Sequence, residues 1–374
     1  MKIEAAVLTR DDAPTPYAQS QPLQVGQVEL DDPGRGELLV RMRAAGLCHS
    51  DLSVMNGDRP RGLPLVLGHE AAGIVESVGE GVTNFAEGDH VVMAFVPSCG
   101  GCLPCQSGRP ALCEPGAAAN AEGTLLSGAR RLHQDGVELN HHLGVACFAD
   151  RAVVSEKSCV KISEELPFEQ AALFGCAVLT GVGAVINTAA MTAGSSAAVV
   201  GLGGVGLSAL LGAITSGARE VVAVDTNPDR LEFARQLGAT STLNSSDDDA
   251  LARFTRDHGR LEYVFEMAGA ASALQTAYAL TGRGGTTVTA GLPHPDAEFT
   301  IKAVTLTAEE RTLKGAYIGT AVPRRDVPRY VALFEAGRLP VDRLVTHSLA
   351  LTELNEGFDR LASGEAIRQI VHFD

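Results

Sequence analysis

Residues 201–206 read Gly-Leu-Gly-Gly-Val-Gly, and the setting of that run limits the chain to a narrow group of folds. Ahead of it, Ala197-Ala198-Val199-Val200 has the character of a buried strand; behind it, residues 204–216 have the character of a helix. A Gly-x-Gly-x-x-Gly between strand and helix has a physical reason at each glycine. Gly201 makes the tight turn, Gly203 lets a pyrophosphate approach the backbone, and Gly206 lets the helix pack closely on the strand. Gly204 and Val205 open a helix whose free N–H groups are offered to the phosphates. Alone the motif is weak. Asp225 strengthens it, because it ends the next strand about 20 residues on, where a carboxylate can take both hydroxyls of a ribose. A 2′-phosphate against Asp225 would meet repulsion on the order of a few kcal/mol, so NAD is expected rather than NADP. Arg230, a little further along, can hydrogen-bond the ribose and could tolerate a phosphate.

The surrounding rhythm agrees. Strands are expected at 220–225, 263–266 and 286–289, with a helix at 228–237 and a helix start at Asp247-Asp248-Asp249. That alternation predicts an α/β, doubly wound parallel sheet. Residues up to about 175 read differently, as β-rich, with short runs such as 37–42 and 73–78 set between Gly, Pro and Asp turns. The last ~50 residues lose the βα rhythm and are expected to return to the first domain. A length of 374 residues suits two domains, and an apolar fraction of 45% opposes disorder. The net charge of −15 opposes nucleic-acid binding. Residues 170–218 carry no charged side chain, but their ten glycines and many Ser and Thr fit a buried βαβ unit better than a membrane span. Charges at Glu4 and Arg10-Asp11-Asp12 leave no secretory apolar core, so a cytoplasmic protein is expected.

Four of the eight cysteines, Cys99, Cys102, Cys105 and Cys113, follow the spacing C-x2-C-x2-C-x7-C among glycines and prolines. Such close neighbours are poorly placed to pair with one another but can converge on one tetrahedral zinc, and a disulfide knot suits a small secreted domain instead. Cys48 and Cys176 are far apart and both sit beside glycines, with Gly68-His69-Glu70 between them. Cys, His and Cys would give three protein ligands and leave one position open, the count of a catalytic zinc. Each of the three taken singly is as readily a core residue. His141 and His142, in an Ala-, Gly- and His-rich stretch over 116–146, are expected to face solvent.

The combination carries a resemblance. Gly68-His69-Glu70-Ala71-Ala72-Gly73, continuing through Gly79 to Val82, is similar to the G-H-E-x2-G-x5-G-x2-V signature of zinc-containing medium-chain alcohol dehydrogenases. The cysteine lobe, Gly175-Cys176, the glycine run and Asp225 fall in that family's order across essentially the whole chain. The likeness is to the long, typically dimeric branch that includes the glutathione-dependent formaldehyde dehydrogenases. It implies a β-rich, GroES-like catalytic domain over 1–177, completed by 319–374, and a Rossmann domain over 178–318. It implies two zinc ions per subunit. Cys48, His69 and Cys176 would hold the catalytic one, with Glu70 behind it, and an alcohol would pass a hydride to C4 of the nicotinamide.

Further roles follow only from the likeness. Ser50 resembles the hydroxyl that takes the alcohol proton, and Asp51 the carboxylate that orients the zinc-bound histidine. His49 and Arg368 would face the pyrophosphate, and Phe95 would line the substrate pocket. Ser53 is a departure: relatives have a histidine there that passes the proton to solvent, and serine is no base near neutral pH. A small primary aliphatic or aromatic alcohol is the expected substrate and a homodimer the expected assembly. Glutathione-dependent formaldehyde oxidation is the alternative; Arg59 stands where that branch has an acidic side chain, although Asp58 is adjacent. A non-catalytic zinc protein is the alternative of another kind, and no nucleic acid or membrane is expected as partner.

Overall fold

In the computed structural model, which describes residues 1–373, the strand Lys2–Leu8 buries Ile3, Ala5 and Val7 and pairs antiparallel with Leu23–Leu30. Leu132–Gln134, Val137–His141 and Leu65–Val66 complete a closed five-stranded barrel, in which Leu65–Val66 runs parallel to Val137–His141. Its interior is a single apolar cluster that includes Ile3, Val7, Val28, Leu30, Val66, Leu132 and Leu139. Each such side chain contributes about 1.5–3 kcal/mol through burial.

Glu37–Gly46 is the hub of a second, seven-stranded sheet, bordered by Ala71–Val78, Arg151–Ser155 and Arg368–His372. The strand Arg368–His372 runs antiparallel to Glu37–Gly46, with Ile370 opposite Gly46. Residues from both ends of the chain therefore share one sheet. This unit comprises Met1–Cys176, Val322–Val331 and the stretch from Asp342 onward.

The second unit, Ala177–Ala321 with Ala332–Val341, is built on a six-stranded parallel sheet. Its order is Ser241–Asn244, Glu220–Asp225, Ser196–Val200, Leu261–Glu266, Thr281–Thr289, Thr312–Gly315. Numbered within the unit this is 3-2-1-4-5-6, the doubly wound order. The chirality of βαβ crossovers and the need to cover both faces make this the natural outcome of alternating apolar strands and helices. The expected helices occur as Gly204–Thr215 and Pro228–Gln236. Asp247 caps the helix Asp248–Asp257, its carboxylate accepting from the Ala250 N–H at 3.0 Å.

The uncharged stretch is broken into the helices Phe168–Leu173 and Ala177–Gly183, the strand Ser196–Val200 and the helix Gly204–Thr215. Among the described residues, no helix is long and apolar enough to cross a membrane.

Candidate functional site

Three clusters of potential metal ligands occur among the described residues. The first is the cysteine lobe. Cys102 Sγ and Cys113 Sγ are 3.9 Å apart, close to the edge of a tetrahedron with metal–sulfur bonds of about 2.3 Å. Backbone N–H groups already point at the sulfurs: Gly101 and Cys102 donate to Cys99 Sγ at 3.3 Å, and Cys99 and Gly116 donate to Cys113 Sγ at 3.2 and 3.4 Å. The first two hold the Cys99 thiol down at about 6. Within the lobe Leu103 and Leu112 are exposed, at 76% and 41%, whereas Ala111 and Cys113 are buried. All eight cysteines are free.

The second cluster joins three distant parts of the first unit. Cys48 precedes the helix His49–Met55, His69 follows the strand Leu65–Val66, and Cys176 follows the helix Phe168–Leu173. All three are buried, with ligand atoms within 4.8 Å of one another. Cys48 is held well below the usual thiol range, first by a hydrogen bond from Cys176 and then by His69. Cys176 is pushed up correspondingly by the Cys48 sulfur and by burial. A thiolate beside a thiol, facing an imidazole, is a donor set suited to a divalent cation.

The imidazole is oriented. His69 Nδ1 lies 3.1 Å from Asp51 Oδ1, and its Nε2 is buried without a protein hydrogen-bond partner. Burial works against a charge on His69, but the Asp51 carboxylate overrides it and holds the ring well above the usual imidazole value. On losing its Nε2 proton to a bound cation, with Nδ1–H kept on Asp51, the ring would present the Nε2 lone pair that a metal ligand requires. Phe95 meets the ring edge-on, with centroids 5.1 Å apart at 87°. The residues present thus fit a zinc ion.

Behind the cluster, Glu70 is fully buried and its Oε1 accepts a hydrogen bond from Arg368 Nη2. Burial raises the Glu70 carboxyl above its ordinary range. The backbone makes room for the pair at Gly46, where a Cβ would sit 2.6 Å from Glu70 Oε1 and 3.2 Å from Arg368 Nη2. Arg368, assigned by the sequence resemblance to phosphate, is itself 3% exposed and committed to Glu70, while its buried Nε has no protein partner. Ser50 is half-buried in the first turn after Cys48, His49 is exposed, and Ser53 Oγ donates to the His49 carbonyl at 2.8 Å.

The expectation for His141 and His142 is overturned. Both are buried, at 0% and 2% exposure, because the strand ending at His141 is an interior strand of the barrel. His141 Nε2 accepts the Arg131 N–H at 3.0 Å, and burial pushes the ring down to about 3, so it is neutral. His142 Nδ1 lies 2.9 Å from Asp51 Oδ1, which creates the third cluster, Asp51, His69 and His142. Nothing in the local sequence signals this; the signal lies in strand pairing across 75 positions, Val66 opposite His141.

In the second unit the glycine run behaves as its chemistry requires. Gly201 has φ +89°, a Cβ on Gly206 would sit 1.8 Å from the Gly201 carbonyl oxygen, and a Cβ on Gly203 would point into open space. No side chain caps the helix Gly204–Thr215, so its first N–H groups remain for a ligand. Asp225 Oδ2 accepts from Leu202 N at 2.7 Å and Oδ1 from Asn227 N at 2.9 Å, which fixes the carboxylate beside the run. Arg230 is half-buried in the next helix. These residues fit a dinucleotide.

Comparison with known proteins gives the same picture. A family described as the alcohol dehydrogenase GroES-like domain matches residues 34–164, and one described as zinc-binding dehydrogenase matches 204–336. The alcohol dehydrogenase class-3 of Drosophila melanogaster is 38% identical, covering 96% of each chain. The S-(hydroxymethyl)glutathione dehydrogenase of Synechocystis is 36% identical over 96% of this chain and 98% of its own. The crystal structure of benzyl alcohol dehydrogenase from Acinetobacter calcoaceticus superposes with a TM-score of 0.93 at 32% identity, covering 100% of both chains. With its GroES-like and parallel-sheet halves in this order, the chain belongs to the zinc-containing medium-chain alcohol dehydrogenase family.

Proposed function

We propose that the chain catalyses the reversible, NAD-linked oxidation of a primary aliphatic or aromatic alcohol, using a zinc held by Cys48, His69 and Cys176. The observation that carries this reading is the buried convergence of two sulfurs and an imidazole whose Nε2 has no protein partner. A zinc there supplies Lewis acidity, which lowers the pKa of an alcohol hydroxyl as it does that of water, from near 16 to roughly 7. The protein does the rest. Cys48 and Cys176 as thiolates offset the charge of the cation in a buried site. Asp51 holds the His69 tautomer, and Ser50, no base itself, relays the alcohol proton by accepting it as its own hydroxyl proton passes to water. Ser53 spends its hydroxyl proton on the His49 carbonyl, so the proton's onward route does not use it as a base. Glu70 supports the site from behind, Phe95 packs on His69 and borders the substrate, and Cys99, Cys102, Cys105 and Cys113 hold a second, structural zinc.

NAD is assigned to the glycine run, with Asp225 on the ribose, Arg230 beside it and His49 toward the pyrophosphate, while Arg368 stays with Glu70 in the interior. Asp225→Ala is expected to lower kcat/KM for NAD by about 10–100-fold, the worth of a charged hydrogen bond or two, and to move the NAD-to-NADP preference at least about tenfold toward NADP. Steady-state kinetics with both cofactors measures this; an unchanged ratio removes Asp225 from the ribose. A homodimer and a cytoplasmic location complete the reading, the latter supported by eight free cysteines.

The test of the whole reading is zinc per chain together with NADH formation over primary, secondary and aromatic alcohols, with and without glutathione. Two zincs and turnover of free primary or benzylic alcohols are expected. Turnover only with formaldehyde and glutathione would favour the second reading, which the Synechocystis relative supports. One zinc and no turnover would leave a structural zinc protein.

A further inference from the structure

Asp51 serves more than one histidine. Its Oδ1 receives the Gly68 N–H at 3.1 Å and lies 3.1 Å from His69 Nδ1 and 2.9 Å from His142 Nδ1. All of these groups are buried. We propose that His142 is a positioning residue for the candidate catalytic centre: its Nδ1 stands 2.9 Å from Asp51 Oδ1, a polar contact off full hydrogen-bond alignment that braces the carboxylate fixing the zinc-binding ring of His69. The inference rests on the assignment of Cys48, His69 and Cys176 as zinc ligands.

The backbone is arranged to deliver this contact. Leu65–Val66 and Val137–His141 are parallel neighbours, so the segments carrying His69 and His142 leave the barrel side by side. They stay tied beyond it, Cys147 N donating to Gly68 O at 3.2 Å and Phe148 N to Leu67 O at 3.1 Å. Directly behind His142, two non-glycine residues adopt left-handed conformations, Leu143 at φ 51° and Ala146 at φ 52°. Such backbone persists only where its surroundings over-determine it, and it gathers at working sites. The turn that follows His142 thus takes a sparsely populated shape, and His142 Nδ1 lies 2.9 Å from Asp51 Oδ1 at its start.

The contact also settles ring orientation. His142 meets His69 edge-on, with centroids 5.4 Å apart at 86°, and Phe95 meets it edge-on as well. His69 is thus held by one carboxylate and two rings. Groups that orient a ligating histidine typically govern metal affinity and activity by 10–100-fold. His142 acts one step further out, through the same carboxylate oxygen.

The experiment compares His142→Phe, which keeps a ring but removes the N–H, with His142→Asn, whose amide N–H stands near the lost Nδ1. Both are made in the full chain loaded with zinc. Loss of each zinc to a chelator is followed, the zinc of the cysteine lobe serving as internal control, and kcat and KM for alcohol and NAD are measured. His142→Phe is expected to release one zinc about tenfold faster with the other unchanged, and to lower kcat about tenfold with KM for NAD unaltered. His142→Asn is expected to restore both to within about threefold. If His142→Phe does not fold, His142→Leu serves as the donor-free variant. Zinc release and kcat that match the unsubstituted chain would overturn the proposal. So would a His142→Asn variant as impaired as His142→Phe, since the ring would then only fill space. A single zinc in the unsubstituted chain defeats the catalytic-zinc assignment itself, and the proposal with it, before any variant is compared.

Discussion

Cys48→Ser is expected to give a chain that binds NADH and one zinc but turns over alcohol at no more than about a thousandth of the unsubstituted rate. The reasoning starts from burial. Cys48 is 6% exposed and held toward the thiolate by Cys176 and His69, so it brings negative charge to a place that water scarcely reaches. A serine hydroxyl stays protonated near neutral pH and supplies neither the charge nor the soft donor that zinc favours. Loss of the Lewis acid removes several kcal/mol of transition-state stabilisation, and each ~1.4 kcal/mol is tenfold in rate. The cysteine lobe and the glycine run are separate sets of residues, so one zinc and near-normal NADH affinity should remain. Metal analysis, NADH fluorescence titration and steady-state kinetics on one preparation decide it. Full turnover would sink the catalytic-zinc assignment.

Arg368→Met should lower the unfolding free energy by about 3 kcal/mol at pH 8, the low end of what breaking a buried ion pair costs. The guanidinium lies against Glu70 in the interior, and its removal strands a carboxyl with no solvent to turn to. A methionine fills the space but supplies no cation. The Glu70 carboxyl is already raised by burial and would rise further without Arg368. A carboxyl whose folded pKa exceeds its unfolded one binds protons better in the native state, so stability recovers as pH falls toward and below the folded value. The deficit should therefore be smaller at pH 6 than at pH 8. Urea unfolding at both values measures it, and the double variant with Glu70→Gln should regain part of the loss. Equal stability of Arg368→Met and the parent at pH 8 would show that the pair carries no net weight.

Much of the fold was legible because its causes are local. A strand, a glycine turn and a helix within 197–215, and a further strand to Asp225, carry their own steric logic, and repeating that unit leaves few topologies other than the doubly wound sheet. The cysteine lobe was legible for the same reason, with its four sulfurs inside one short loop. The edge strands Ser241–Asn244 and Thr312–Gly315 were not: they are short, and their pairing is decided by their neighbours. The surroundings of the second metal cluster were the least legible. Glu70 and Arg368 are 298 positions apart, and only the docking of the last strand against Gly46 brings them together. The expectation that His141 and His142 face solvent fails because barrel closure turns that Ala-, Gly- and His-rich stretch inward. A histidine's exposure depends on the strand beside it, and here that strand lies far back in the chain.

The two sets of sulfur ligands differ in how much chain lies between them. Cys99 to Cys113 is one short loop; Cys48 to Cys176 encloses roughly nine times as many residues, an extra closure cost of about 2 kcal/mol for an unfolded chain. During synthesis the lobe can capture its ion as soon as its own fifteen or so residues have emerged, whereas the other three ligands meet only once the barrel and the long central sheet have formed. On the two-zinc reading proposed above, metal loading would thereby be staged. Early zinc would act as a local folding nucleus, and late zinc as a seal on a finished architecture, so a cell short of zinc would accumulate chains that are folded, half-charged with metal and silent.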